Sequence, residues 1–192
     1  MDINRILRHQ IALARLENRA FDDYIAPSLA KALRDIRRLL ADVDTVTSRR
    51  QLQALETVIT RIIQDQQGWA VLTGELENVA IFENEFYAGL IGVAAAQDEM
   101  VRRLANRTMM VLRSGERYNT GLWPDFIRNE LASEAAAVNN IVRTGYAQGL
   151  TGRQMRGQIS NLFDGMITRH AETLGRTGFS HYAQVGRRAV AE

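Results

Sequence analysis

Apolar residues recur at helical spacing through almost the whole chain, and this pattern constrains the fold more than any other feature. Ile3, Leu7 and Ile11 begin one such series, and Leu55 and Ile59 belong to another. Residues three and four apart lie on one face of an α-helix. No stretch alternates apolar and polar residues for long enough to predict a strand. We therefore predict an all-α fold, an elongated bundle of roughly seven helices.

Helix ends in the first half of the chain are marked by proline and by a capping pattern. Pro27 is predicted to break the first helix at Ala26, so that a second helix runs from Ser28 to about residue 41. Ser48 and Gln51 have the spacing of a capping box, which predicts a third helix ending near residue 67. A long fourth helix follows Gly68 and is expected to continue to residue 113, with a bend, or a close approach by another helix, near residues 89–92.

Residues 114–122, SGERYNTGL, collect Gly, Ser, Asn and Thr between two periodic segments, which is typical of a boundary. We expect an elbow here, between an N-terminal helical bundle, residues 1–113, and a C-terminal helical module, residues 123–192. Pro124 suits the first turn of the next helix. Thr151 and Gln154 form a second capping-box pattern, which predicts a short helix, and the last helix is predicted to begin near Asp164.

Signs of enzyme chemistry are missing from the sequence. The chain has no Cys, and two of its three histidines, His170 and His181, would lie about 16 Å apart on one helix, too far to share a metal ion. Glu130 and Glu134 share a helix face without a neighbouring histidine, and we interpret them as solvated surface residues. We therefore expect no catalytic residue, no cofactor, no metal and no enzymatic activity.

Charge is divided unevenly along the chain. Residues 1–100 carry 11 basic and 15 acidic groups, whereas residues 101–192 carry 13 basic and 7 acidic groups. The segment between Arg61 and Arg102 has seven carboxylates and no basic residue. Such a segment is a solvated helix face, or it meets the arginine-rich part of a partner or of a neighbouring copy. The apolar run at residues 86–96 is too short to span a membrane, and we expect core or an oligomer interface there.

Arginines in the C-terminal region are the candidate contact residues. All basic residues except Lys31 are arginines, whose planar guanidinium binds phosphates and carboxylates bidentately. Spacing on the predicted helices allows them to form basic faces that bind polyanions by charge alone, although solvated faces are the alternative. The candidates for phosphate or acidic-partner contact are Arg153, Arg156, Arg169, Arg176, Arg187 and Arg188.

Two segments of the C-terminal region resemble a known family. Residues 141–155, IVRTGYAQGLTGRQM, contain a Gly-Leu-Thr turn before a helix, and residues 170–192, HAETLGRTGFSHYAQVGRRAVAE, contain an Arg-Thr pair followed by Ala and a basic residue. Together they resemble the phage head morphogenesis family, the minor head proteins of the phage Mu F type. Gly178 and Gln184 depart from the pattern, since many members have Glu and Asn there.

The resemblance implies a structural virion protein located inside the phage head near the portal, and in the host cytoplasm during assembly. It implies the portal protein, other copies of the chain and packaged double-stranded DNA as partners, and in some members ejection with the genome. We expect no small-molecule substrate and no membrane partner. The alternatives are a helical DNA-binding adaptor and the trafficking segment of a larger phage-derived toxin.

Overall fold

In a computed structural model, which describes residues 3–64, 67–114, 117–170 and 175–190, the chain is an all-α bundle with one small hairpin. The predicted fold class is confirmed. The helices of the described residues are α1 (Ile3–Ala20), α2 (Ala26–Ala41), α3 (Arg49–Gln64), α4 (Gln67–Ile91), α5 (Asp98–Arg107), α6 (Trp123–Gln148), α7 (Gly152–His170) and α8 (Arg176–Arg188).

The break predicted at Pro27 is wrong, because α1 continues into α2 through a π-helical turn, Phe21–Ile25. The backbone N–H of Ala26 donates to the carbonyl of Phe21, five residues earlier. Pro27 then occupies the first turn of α2, directly after this wide turn. Because this wide turn comes before Pro27, α1, the π-helical turn and α2 form one continuous helix.

Both predicted capping boxes are present. The backbone N–H of Gln51 donates to Ser48 Oγ at 3.3 Å, and the N–H of Ser48 donates to Gln51 Oε1 at 3.2 Å. At the start of α7, the backbone N–H of Thr151 donates to Gln154 Oε1 at 2.8 Å, and the N–H of Gln154 donates back to Thr151 Oγ1. These reciprocal bonds satisfy N–H groups that have no partner within the helix.

The fourth helix is shorter than predicted, since α4 ends at Ile91 and does not reach residue 113. Gly92 has a φ of 77°, a left-handed conformation that stops the helix. The buried Asn84 side chain holds the connector that follows. Its Nδ2 donates to the carbonyl of Ala96 at 3.0 Å, and the N–H of Ala96 donates to Asn84 Oδ1 at 3.4 Å.

A β-hairpin occupies the region where we expected an elbow. Strand β1 (Met110–Ser114) pairs antiparallel with β2 (Arg117–Gly121), and Met110 lies opposite Gly121. The prediction of no strands is therefore wrong here, because neither strand alternates: MVLRS begins with three apolar residues in a row, and RYNTG has only one. The predicted helix boundary near Asp164 is also wrong, since α7 continues to His170.

Helices from the two predicted parts of the chain pack on each other, with α8 against α4, α6 against α3 and α7 against α2. Their buried residues form one hydrophobic cluster. The backbones of α8 and α4 approach closely at Gly186, where an added Cβ would lie 2.1 Å from the carbonyl oxygen of Ala80. The described parts of residues 1–113 and 123–192 thus share a core.

Candidate polyanion-binding surface

Helices α2 and α7 bring arginines from distant parts of the sequence together. The guanidinium of Arg37 on α2 donates from Nε and Nη2 to Ser160 Oγ on α7, at 3.1 and 2.6 Å. The hydroxyl of Ser160 donates in turn to the backbone carbonyl of Arg156, at 2.7 Å. Arg37 therefore lies beside the face of α7 that carries two of the predicted contact residues, Arg153 and Arg156.

The surface formed by these two helices is strongly basic. Their sequences contain seven Lys and Arg residues and only two carboxylates, Asp35 and Asp164. Asp35 is engaged by Lys31 of its own helix, with Nζ and Oδ2 3.1 Å apart. We call this surface the α2/α7 basic face, and its exposed or half-buried arginines are Arg34, Arg37, Arg38, Arg153 and Arg156.

Arg169, another predicted contact residue, lies on α7 and pairs with a buried carboxylate. Its Nη2 is 3.5 Å from Glu134 Oε1, and the Glu134 side chain is only 5% exposed. Our interpretation of Glu134 as a solvated surface residue is therefore wrong. Burial raises the pKa of the Glu134 carboxyl, the charge of Arg169 opposes that shift, and neighbouring Glu130 adds to it.

Arg187 belongs to a buried cluster rather than to an open basic face. Its Nε donates to Glu83 Oε2 at 2.5 Å, and the other oxygen of Glu83 lies 2.6 Å from His9 Nε2. The Glu83 side chain is fully buried. The imidazole of His9 stacks on the ring of Phe86, and the Arg187 guanidinium lies over the ring of Tyr87. Arg187 thus neutralises an interior carboxylate and joins α8 to α4.

Arg176 and Arg188 line an open groove between α8 and the start of β1. The groove has a volume of about 540 Å³, and His181 lies in its wall. Burial lowers the pKa of His181, and the charge of Arg188 lowers it further, although a contact with the carbonyl of Ala105 opposes both. The two arginines are twelve residues apart on α8, about 18 Å along the helix, so one phosphate cannot bridge them.

The candidate arginines therefore occupy four environments and do not form one surface. Arg153 and Arg156 join the α2/α7 basic face, Arg169 pairs with Glu134, Arg187 pairs with Glu83, and Arg176 and Arg188 line the groove. The sequence prediction missed the contribution of α2. The sequence does contain a signal for this part of the surface, since Arg34, Arg37 and Arg38 have the three- and four-residue spacing of one helix face.

Among the residues that the structure describes, no group of three or more His, Asp or Glu side chains is placed to hold a metal ion. Tyr182 donates to Asn106 Oδ1 at 2.8 Å, and burial raises the pKa of its hydroxyl. None of the helices described is both long enough and apolar enough to cross a membrane.

Comparisons with protein-family models, curated proteins and solved structures find no match for this chain.

Proposed function

We propose that this chain is a structural component of a phage virion, a minor head or head morphogenesis protein that binds the portal and lies beside packaged double-stranded DNA. The main support is the position of the residues that carry the resemblance. Those that the structure describes lie at the joints of the fold, where helices meet or begin, whereas residues 171–174 of the second segment lie outside the described residues. A pattern of common residues thus has a physical role in this chain.

The first segment of the resemblance is the joint between α6 and α7. Gly149 adopts a left-handed conformation with φ of 65°, and the N–H of Leu150 donates to the carbonyl of Gly145 at 2.8 Å. Thr151 then caps α7. This joint needs a glycine for the left-handed position, a next residue whose N–H donates back to the end of α6, and a hydroxyl that caps α7. Gly149, Leu150 and Thr151 supply these in the order of the resemblance.

The second segment of the resemblance packs α8 against α4. Ala183 is buried, Gly186 allows the close backbone approach at Ala80, and Arg187 pairs with Glu83. The departure at Gly178 also has a structural reason, because an added Cβ would lie 2.4 Å from the indole ring of Trp123. A glutamate has no room at this position.

The proposed contact with DNA uses the α2/α7 basic face. Phosphates attract exposed arginines by charge, without reading the base sequence, and such binding weakens steeply with salt. Arg153 and Arg156 have no ion-pair partner among the described residues, and Arg37 hydrogen bonds only to a neutral hydroxyl there. These three guanidinium groups therefore have charge available for phosphates.

The DNA contact is tested by measuring duplex binding through fluorescence anisotropy over a range of salt concentrations. We expect the triple variant Arg37→Gln, Arg153→Gln, Arg156→Gln to bind at least tenfold more weakly, with a salt slope smaller by about one for each phosphate that is no longer neutralised. The matched control removes three exposed arginines that pair with carboxylates on their own helices, or in the turn next to them: Arg19, Arg103 and Arg128.

The control variant should bind within about twofold of the unmodified chain, since its arginines already have partners. Equal weakening by both triple variants would show that net charge, and not this face, determines binding. Preference for one duplex sequence would instead favour the DNA-binding adaptor. Co-sedimentation with purified portal rings tests the other partner, and binding to neither rings nor duplex DNA would refute the proposed function.

A further inference from the structure

The groove between α8 and the start of β1, which we call the α8/β1 groove, follows the edge of an extended segment. Its wall on this side is formed by four consecutive residues, Thr108, Met109, Met110 and Val111. Thr108 already has extended backbone angles, and side chains of consecutive residues in such a segment point to opposite faces. Four residues in a row can line one groove because it lies along the edge of the segment, where the backbone is accessible.

This edge of β1 has no partner strand among the described residues. β1 and β2 form a two-stranded sheet, so one edge of β1 remains unpaired there. Thr120 and Gly121, the residues of β2 opposite Val111 and Met110, do not line the groove, which therefore lies on the unpaired side. In an antiparallel pair every second residue directs its N–H and C=O away from the partner strand. The groove thus offers backbone donors and acceptors to a further strand.

The same side of the groove has exposed apolar side chains. Met109 and Val111 are 57% and 56% exposed, whereas Met110 between them is buried. Because Met109 and Val111 are two residues apart, they lie on one face of the extended segment. A peptide paired with this edge would cover them with the side chains of its own alternate residues.

The α8 side of the groove is basic. It includes Arg176 and Arg188, which are both exposed, and none of the described residues that line the groove is Asp or Glu. Neither arginine has an ion-pair partner within the described part of the chain. Burial lowers the pKa of His181, which lies between them, so this imidazole is neutral at pH 7. The α8/β1 groove is therefore complementary to a ligand with negative charge.

We propose that the α8/β1 groove binds an extended acidic segment of a partner protein, which adds a third strand at the β1 edge and places carboxylates on Arg176 and Arg188. These arginines are about 18 Å apart along α8, a length that an extended chain covers in about five residues. The bound segment should therefore carry acidic residues about five positions apart, with apolar residues between them.

Other occupants use only part of this groove. Nucleic acid would contact the arginines but would leave the strand edge unpaired. A second copy could pair its own β1 with this edge, but it would bring the arginines of both copies together, which costs free energy. An acidic peptide satisfies the strand edge and the arginines at once. This inference holds whether or not the chain is a virion protein.

Binding of a synthetic peptide to the full chain, followed by fluorescence anisotropy, tests the proposal. The probe is fluorescein-labelled Asp-Val-Thr-Val-Thr-Asp, whose carboxylates are five positions apart, and we expect a dissociation constant below about 1 mM. The variant Arg176→Gln, Arg188→Gln should bind it about tenfold more weakly or worse. The matched control, Arg153→Gln with Arg156→Gln, removes the same charge from the α2/α7 basic face and should bind within about twofold. Circular dichroism verifies that both variants are folded.

Two modified peptides separate strand pairing from charge. A peptide that is N-methylated at its four central residues keeps both carboxylates but cannot pair with a strand, and it should bind about tenfold more weakly. A peptide with Lys in place of both Asp residues should not bind detectably. Absence of binding by the unmodified peptide, equal weakening by the two protein variants, or full binding of the N-methylated peptide overturns the proposal.

Two further measurements identify the other occupants. Displacement of the peptide by a single-stranded oligonucleotide that itself binds Arg176→Gln, Arg188→Gln more weakly would assign the groove to nucleic acid. A dimer in sedimentation equilibrium that blocks peptide binding would assign the β1 edge to a second copy. Either result overturns the proposal. Since the control variant alters the face proposed to contact DNA, the peptide proposal and the DNA contact can fail independently.

Discussion

Replacing Arg187 with methionine should lower the free energy of unfolding by about 3 kcal/mol, because Glu83 is then left without its permanent cation in the interior. The Glu83 carboxylate is fully buried, with Arg187 on one oxygen and His9 on the other. Removing one partner of a buried ion pair costs roughly 3–5 kcal/mol. We expect the lower end of this range, since the Arg187 side chain is 37% exposed and its charge is partly solvated.

The measurement is chemical denaturation followed by circular dichroism. For a chain of this length, 3 kcal/mol corresponds to a fall in Tm of roughly 6–12 °C. Arg103→Met is the matched control, because it breaks an exposed pair with Glu99 and should cost less than about 1 kcal/mol.

A second variant distinguishes the effect of the buried charge from that of poorer packing. Combining Arg187→Met with Glu83→Gln removes the carboxylate that was left without a cation, while keeping a hydrogen-bonding group beside His9. The double variant should therefore be more stable than Arg187→Met alone. A cost below about 1 kcal/mol for Arg187→Met, or no recovery in the double variant, would refute the reasoning.

Two further predictions concern packing and pH. Gly186→Ala should destabilise the chain by about 1–3 kcal/mol, because the new Cβ would overlap the backbone of Ala80. The control Gly157→Ala adds a Cβ that meets nothing within 4 Å and should stabilise the chain by about 0.4–1 kcal/mol. Equal effects of the two substitutions in thermal denaturation would contradict the close approach of α4 and α8. Burial raises the pKa of Glu134, so its contribution to stability is greatest at low pH and is lost as the pH rises through the folded-state pKa. Glu134→Gln should therefore gain stability relative to the unmodified chain as the pH rises above 4.5, the ordinary value of the carboxyl group, and a constant difference in unfolding free energy would show that burial does not control this group.

Features that depend on neighbouring residues in the sequence were predictable. The Ser48–Gln51 and Thr151–Gln154 boxes form as expected, because both partners are three residues apart and need no other part of the chain. The all-α class follows from the same local spacing. The prediction of a helix break at Pro27 was wrong, because the π-helical turn before the proline has no strong sequence signal.

The candidate surface was only partly predictable. Arg153 and Arg156 were selected correctly as neighbours on one helix, but the sequence did not indicate that Arg37 would lie beside them, 119 residues before Arg156 in the chain. Arg187 was selected for its charge, yet that charge is used by Glu83 in the interior. Helical spacing identifies which residues share a face, but it does not identify what that face contacts.

The outer stripe of α1 illustrates the same limit. Ile3, Leu7 and Ile11 contributed to the helical pattern, yet these three are exposed while His9 on the other face is buried. A helix with apolar residues on two sides can bury either one, and the neighbours available decide which. Here Glu83 and Phe86 of α4 receive His9, and this selects the inner face.

The order of residues along this chain was sufficient to predict that it is helical and where two of its helices are capped, because these features depend on interactions over three or four positions. Packing between distant segments decided which charged side chains are buried and which partners they have. A carboxylate such as Glu83 enters the interior only where an arginine from another helix meets it, since an unpaired buried charge is too costly to keep. Long-range contact of this kind exists only after the helices have assembled.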